Sequence, residues 1–176
     1  FYIRSIINHK SIKMKKILYL FSLMILFISC NSQIIKSSVT NEGDQINSLK
    51  NLITSFTAGD WDTYRSHFTE DANIVHNGWW NNEDASISID EMLTQHIWNR
   101  ENLFASLCVN DGVYEIITQE NGNQFGHVWI EFTSKGYNSD EEIKIPVNLS
   151  FAMSGNKVNF EWGFYDTSKF PEPKVE

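Results

Sequence analysis

The sequence predicts an α+β fold: N-terminal helices packed on a strongly curved, mostly antiparallel sheet, with a cone-like cavity between the two layers. Three observations carry this. Apolar residues recur at helical spacing through the first part of the domain. From Val113 to Asp166 they cluster and alternate as strands do. Asn121-Gly122 and Gly155-Asn156 stand between strand runs, as hairpin turns require. Helices followed by a meander of long strands lie on one face of the sheet, and a sheet that curls over them leaves a cone-shaped space.

The first 44 residues are set apart from that domain. Residues 1–13 precede the natural start at Met14 and read as upstream translation. Lys15 and Lys16 introduce an apolar run of twelve residues, Ile17 to Ile28, which ends at Ser29-Cys30. That length suits the roughly 7–15 residues of a signal-peptide core and falls short of the roughly 20 a spanning helix needs. A small residue followed by cysteine resembles the lipobox of bacterial lipoproteins, with Phe27 and Ile28 departing from its usual pattern. Residues 14–29 are therefore expected to be a lipoprotein signal peptide, with Cys30 the lipidated first residue of the mature chain. The alternative, an uncleaved anchor, fits poorly with the abrupt polarity of Asn31-Ser32-Gln33. The expected location is a bacterial cell envelope, on the outer membrane facing the periplasm, because Asn31 is not the Asp associated with inner-membrane retention. Residues 30–44, polar and short of large side chains, read as a tether.

The domain proper is expected over residues 45–167. Leu49, Leu52, Ile53 and Phe56 mark one face of a first helix, with Asp44 a candidate cap and Gly59 a candidate stop. Trp61, Tyr64 and Phe68 share a face of a short second helix that opens at Asp60 and ends near Thr69-Glu70-Asp71. Ala72–His76 reads as extended, and Asn77 to Asn82 as a loop. Ser88-x-x-Glu91 is a capping box for a third helix with Ile89, Leu93, His96 and Arg100 along one stripe. Four strands follow: Val113–Thr118, Phe125–Thr133, Ile143–Met153 and Val158–Asp166. In the third, Ile145, Val147, Leu149, Phe151 and Met153 face one way. Residues 168–176, with Pro171 and Pro173, read as a loose tail.

Charge excludes one class of partner. Taking Cys30 as the first residue removes five bases and no acid, leaving nine basic against 22 acidic residues, a net of −13. Such a surface repels phosphate backbones, so nucleic acid is not an expected partner. With Cys30 lipidated, Cys108 is alone in an apolar Leu107-Cys108-Val109 context and reads as a small hydrophobe. No C-x-x-C or H-E-x-x-H pattern exists, and His76, His96 and His127 come from separate elements, so neither metal nor cofactor is expected.

The order and spacing of elements resemble the nuclear transport factor 2-like superfamily, in particular its SnoaL-like (polyketide-cyclase-like) branch. The resemblance is carried by Leu49–Phe56, by Ala58-Gly59-Asp60-Trp61-Asp62 and Tyr64 leading to Phe68-Thr69-Glu70-Asp71-Ala72, and by the closing strand from Lys157-Val158 to Phe164-Tyr165-Asp166. It implies a cavity lined by the first strand, the helices and the inner sheet face, in which Asp, His and Tyr serve proton-transfer or dehydration chemistry. Candidate catalytic residues are His76, His96, Tyr64 and Asp166. Trp61, Tyr64, His76, Trp79, Trp80, His96, Arg100, Phe151 and Trp162 are the expected ligand contacts, an aromatic lining suited to a small, partly apolar molecule. Trp79 and Trp80 are expected to form a lid with His76 just inside it. Asn77, where a ketosteroid-isomerase-like site would carry an Asp base, departs from that pattern. His96 with Arg100 suits an anion or enolate, though a histidine in this position is more often a hydrogen-bonded core residue. His127 and Glu131 share one strand face, which is either concave, making an acid/base pair, or convex and open to water or a dimer partner.

Three functions fit these residues: a lipid-anchored domain binding a small apolar or aromatic molecule, a SnoaL-like cyclase, isomerase or dehydratase, or an association module using the outer sheet face, for instance as a homodimer. The first two separate on whether a histidine and a carboxylate meet within hydrogen-bond reach in the cavity.

Overall fold

The computed structural model describes residues 36–78 and 85–175. The expected signal-peptide segment, Cys30 and the Trp79-Trp80 pair expected to form a lid lie outside them. Ten elements run along the chain: β1 (Ser38–Thr40), α1 (Asp44–Ala58), α2 (Trp61–Ser66), β2 (Phe68–His76), β3 (Ile87–Ser88), α3 (Ile89–Asn102), β4 (Phe104–Thr118), β5 (Gln124–Gly136), β6 (Glu142–Ser154) and β7 (Lys157–Tyr165), followed by a 3₁₀ turn, Thr167–Lys169. The strands form one sheet in the order β1-β4-β5-β6-β7-β2-β3. Every neighbouring pair is antiparallel except β2 and β7. Register shifts in the β4–β5, β6–β7 and β2–β7 pairs bend the sheet, since an extra residue on one strand kinks it and increases its twist.

The helices end where the sequence punctuates them. Gly59 closes α1 in the left-handed conformation that glycine adopts without penalty. The Asp60 side chain accepts the Thr63 N–H at the start of α2, and Ser88 with Glu91 forms the full capping box of α3. Asp44 proves to be the first helical residue rather than the cap, which is Gly43. The second helix ends earlier than its apolar spacing suggests, and Phe68 already belongs to β2.

Three boundaries differ from expectation. Strand β4 begins at Phe104, because a bulge between Val109 and Gly112 interrupts an alternation that otherwise reaches back to the end of α3. Part of the expected tether, Ser38–Thr40, pairs with Ile116–Thr118 at the sheet edge. The expected loose tail is docked: the Lys174 N–H donates to Asn102 O, Asn138 donates to Pro173 O, and Phe170 packs edge-on against Phe104.

The core lies between the concave sheet face and the helices. Ile46, Leu49, Leu52 and Ile53 of α1 meet Ile116 of β4, Val128 of β5 and Phe151 of β6, all nearly inaccessible. On β6 the predicted inward residues Ile145, Val147, Leu149 and Phe151 are buried. The convex face carries His127, Trp129 and Glu131, so that alternation resolves outward: His127 bonds Ser150, and Glu131 pairs with Lys144. Across that face Val113, Trp129, Asn148 and Phe164 stand in one register row, and the three apolar members are 56%, 44% and 44% exposed.

Candidate functional site

A cavity of about 80 Å³ opens between α1, α2, α3 and the concave sheet. Most of its wall is apolar, with Phe56, Trp61, Leu107, Phe132 and Leu149 prominent. Seven residues interrupt that wall with polar chemistry: Tyr64, His76, His96, Asn99, Arg100, Glu161 and Tyr165.

Three of the seven form one unit, and β7 builds it. His76 ends β2 and pairs in parallel with β7, its Cα opposite Gly163. Glu161 and Tyr165 flank Gly163 two residues away on each side, so all three point to the same face. A Cβ on Gly163 would stand 2.5 Å from His76 Cδ2 and 2.8 Å from Nε2; only glycine lets the ring rest against the strand. The imidazole then bridges its neighbours, with Nε2 2.7 Å from Glu161 Oε1 and Nδ1 2.9 Å from the Tyr165 hydroxyl. Asn77 fixes the strand end beyond it. Its N–H donates to Gly163 O, and its side-chain carbonyl accepts the Tyr165 N–H.

Glu161 is 3% exposed, and its second oxygen, Oε2, is occluded with no hydrogen-bond partner among the described residues. A charged acceptor left open in this way costs a few kcal/mol, so such a group commonly marks a site of function. Both ring nitrogens of His76 are engaged, so Oε2 is the carboxylate oxygen of the unit left without a partner among the described residues. Burial, reinforced by the nearby Glu161 charge, pushes the Tyr165 hydroxyl up to about 12, so it remains protonated at neutral pH. Tyr64 is raised well above 10 by burial first and by Glu161 and Tyr165 next, so it too remains protonated.

His96 faces this unit from α3, its ring centroid 6.0 Å from that of His76 and 4.9 Å from that of Phe56. Burial, then the proximity of His76, lowers it from 6.5 to about 3, which keeps the ring neutral at physiological pH. A testable pH dependence follows. The unfolded chain protonates this residue near 6.5 and the folded chain only near 3, so its contribution to stability is complete above 6.5 and falls away as pH drops towards 3. At pH 5 this amounts to about 1–2 kcal/mol relative to pH 7. His96→Gln should flatten the dependence of the unfolding midpoint on pH between those values; parallel profiles for variant and wild type would contradict it.

Of the residues predicted from sequence, Trp61, Tyr64, His76, His96 and Arg100 do line the cavity. Phe151, Trp162 and Asp166 do not. Phe151 is fully buried core, and Trp162 lies on the convex side against Phe160, 4.3 Å between ring centroids. Asp166 is exposed; it caps the 3₁₀ turn through the Ser168 N–H, which lowers its carboxyl. Glu161 and Tyr165 escaped the sequence reading. The available signal was an acidic residue within Phe160-Glu161-Trp162-Gly163-Phe164-Tyr165, masked because the register shift near Asn159 changes which residues of β7 face inward. His127, weighed with His76 and His96 as a metal ligand, is on the opposite sheet face.

Solved structures share this architecture. A candidate polyketide cyclase of Xanthomonas campestris pv. campestris matches with a TM-score of 0.57 at 12% identity, over 73% of this chain and 95% of its own. A Catenulispora acidiphila protein with a ketosteroid isomerase-like fold, solved in complex with trimethylamine, gives 0.52 at 9% identity over 69% and 87%. An LEH-like epoxide hydrolase of M. tuberculosis gives 0.51 at 9% over 72% and 85%. The fold is nuclear transport factor 2-like. At these identities the likeness is one of fold, and no family model or curated protein matches the sequence. Within that fold, the cavity lies between the helices and the concave face of the sheet.

Proposed function

We propose that the domain is an acid–base enzyme that moves a proton within a small, partly apolar molecule, an isomerase, cyclase or dehydratase of the kind the polyketide-cyclase-like neighbours suggest. The observation that carries this is the vacant Oε2 of buried Glu161, held by the His76–Tyr165 bridge inside the cavity. A histidine and a carboxylate meet there, which favours catalysis over simple binding.

The roles follow from which atoms are free. His76 gives its Nε2–H to Glu161 Oε1 and takes the Tyr165 O–H at Nδ1; it positions the carboxylate and does not reach the substrate. Glu161 Oε2, occluded in this structure, is uncovered when the side chains around it yield to the bound molecule, and it then accepts a proton from a carbon next to a carbonyl. As that C–H bond breaks, its electron pair enters the enolate, whose oxygen meets the Tyr64 hydroxyl and the neutral His96 ring. Oε2 then returns the proton at a second carbon or to a leaving hydroxyl. The small volume and apolar walls restrict bulk water and suit transfer within one bound molecule. The test is deuterium incorporation from D₂O into short ketones and β,γ-unsaturated acids, followed by NMR with the wild-type chain. Absence of incorporation across the series, with binding intact, would leave a binding protein.

The domain is further proposed to be exported and lipid-anchored through Cys30, supported by the Lys15-Lys16 flank and the apolar run ending at Ser29-Cys30. Cys30→Ser should leave the precursor unprocessed or release the protein from membranes; unaltered processing and retention would contradict it. The exposed row of Val113, Trp129 and Phe164 supports a second proposal, pairing of two copies through their convex faces. Trp129→Glu should then convert a dimer to a monomer in analytical ultracentrifugation, and a monomeric wild type would exclude the pairing.

A further inference from the structure

Arg100 differs from every other group in the cavity wall. It is the one permanent cation among the lining residues, on a domain whose charge is strongly negative. No carboxylate pairs with it: the ion pairs of the described residues are Arg65–Asp90, His76–Glu161 and Lys144–Glu131. Its Nη1–H donates to Phe104 O at 2.7 Å, which holds the side chain across the end of α3 while leaving the rest of the guanidinium fork without a partner among the described residues. The backbone is fixed as well, since Tyr137 donates its hydroxyl to Arg100 O. His96 stands one turn earlier on the same helix and Asn99 beside it, so α3 gives the cavity a wall of donors opposite Glu161.

A half-buried guanidinium anchored by one hydrogen bond, with its charge unneutralised, is built to receive an anion, and a carboxylate matches its fork. The cavity limits what can accompany that anion. At about 80 Å³ it is well below the ~150 Å³ of an engineered apolar cavity that takes benzene, so it admits a short chain and no ring system of larger size. We infer that the ligand is a short-chain carboxylic acid, its carboxylate on Arg100, its apolar chain among Phe56, Leu107 and Phe132, and its removable proton presented to Glu161 Oε2. This names the substrate class for the proton-transfer site and rests on that reading only for the last of the three contacts.

Calorimetric titration of the wild-type chain with butanoate and with butanamide tests it directly, because the two probes share shape and differ in charge. The acid is expected to bind at least tenfold more tightly. Arg100→Gln should erase that preference, Arg100→Lys should keep part of it, and thermal unfolding of each variant shows that the fold persists. Equal affinity for the two probes, binding of neither, or an acid preference undiminished in Arg100→Gln would overturn the inference. The readout is binding, so it separates from catalysis. An acid preference without proton exchange would sink the enzyme and spare the role of Arg100, and exchange without the preference would do the reverse.

Discussion

Glu161→Gln is expected to slow deuterium exchange by about 10²–10⁴-fold, the usual worth of a positioned general base. The substitution is close to isosteric. Its amide oxygen can take the place of Oε1 and accept the His76 N–H, so the bridge to Tyr165 survives while the vacant atom changes from a carboxylate oxygen to an amide nitrogen that cannot accept a proton. Stability should not fall, because the substitution removes a buried charge whose second oxygen has no partner among the described residues. NMR exchange rates and unfolding midpoints of the two proteins check both halves. A variant exchanging at the wild-type rate would assign the base to another group, and a variant that unfolds would show Glu161 to be structural.

His76→Phe offers a contrast. It leaves the carboxylate in place but removes the His76 bond to Oε1, and with it the Tyr165 bond that orients the ring, so activity lost there is lost through geometry. The pH profile of exchange should change in this variant if His76 positions Glu161 through its proton, and rescue by Asn, which can still donate to Oε1, would distinguish positioning from packing. Gly163 belongs to the same construction. A side chain there meets the imidazole edge, so Gly163→Ala should displace His76 while leaving every other residue of the unit chemically intact.

The architecture was legible because its signals are local. Helix α3 announces itself through Ser88 and Glu91, and β6 through five inward apolar residues in strict alternation. The hairpin turns sit where Asn121-Gly122 and Gly155-Asn156 place them. The site was legible only in part, and the reason is the kind of contact that makes it. His76 and Glu161 are 85 residues apart, joined by the one parallel pairing in the sheet, and neither residue announces the other. A parallel register between the second and last strands leaves no turn residue between them to mark it. The shift near Asn159 compounds this, since a one-residue slip sends each side chain of a strand to the other face. Arg100 and His96 share a helix and repeat at its period, and for that opposite reason their common place on the cavity wall was legible.

Phe151→Ala is expected to cost about 3–5 kcal/mol of stability, the range for deleting a buried aromatic ring. Phe151 is inaccessible on the concave face of β6, directly opposite Glu161 on β7, and its ring closes on Gly126, where an added Cβ would lie 3.4 Å from Cδ2 and 2.7 Å from the Leu49 side chain. That packing leaves α1 no room to settle into the gap, so most of the void should persist. Trp162→Ala, on the convex side and only partly covered by Phe160, should cost about 1–2 kcal/mol despite the larger ring, because water already reaches that face. Denaturant midpoints with a common slope would rank the two; a Phe151 variant within about 1 kcal/mol of wild type would mean that the helices do collapse onto the sheet. The same void adjoins the site. With the ring gone, water gains a path along β6 to the Glu161 carboxylate, hydrates Oε2 and weakens it as a base. Exchange activity should therefore fall in Phe151→Ala even under conditions where the protein remains folded, whereas Trp162→Ala should leave it unchanged.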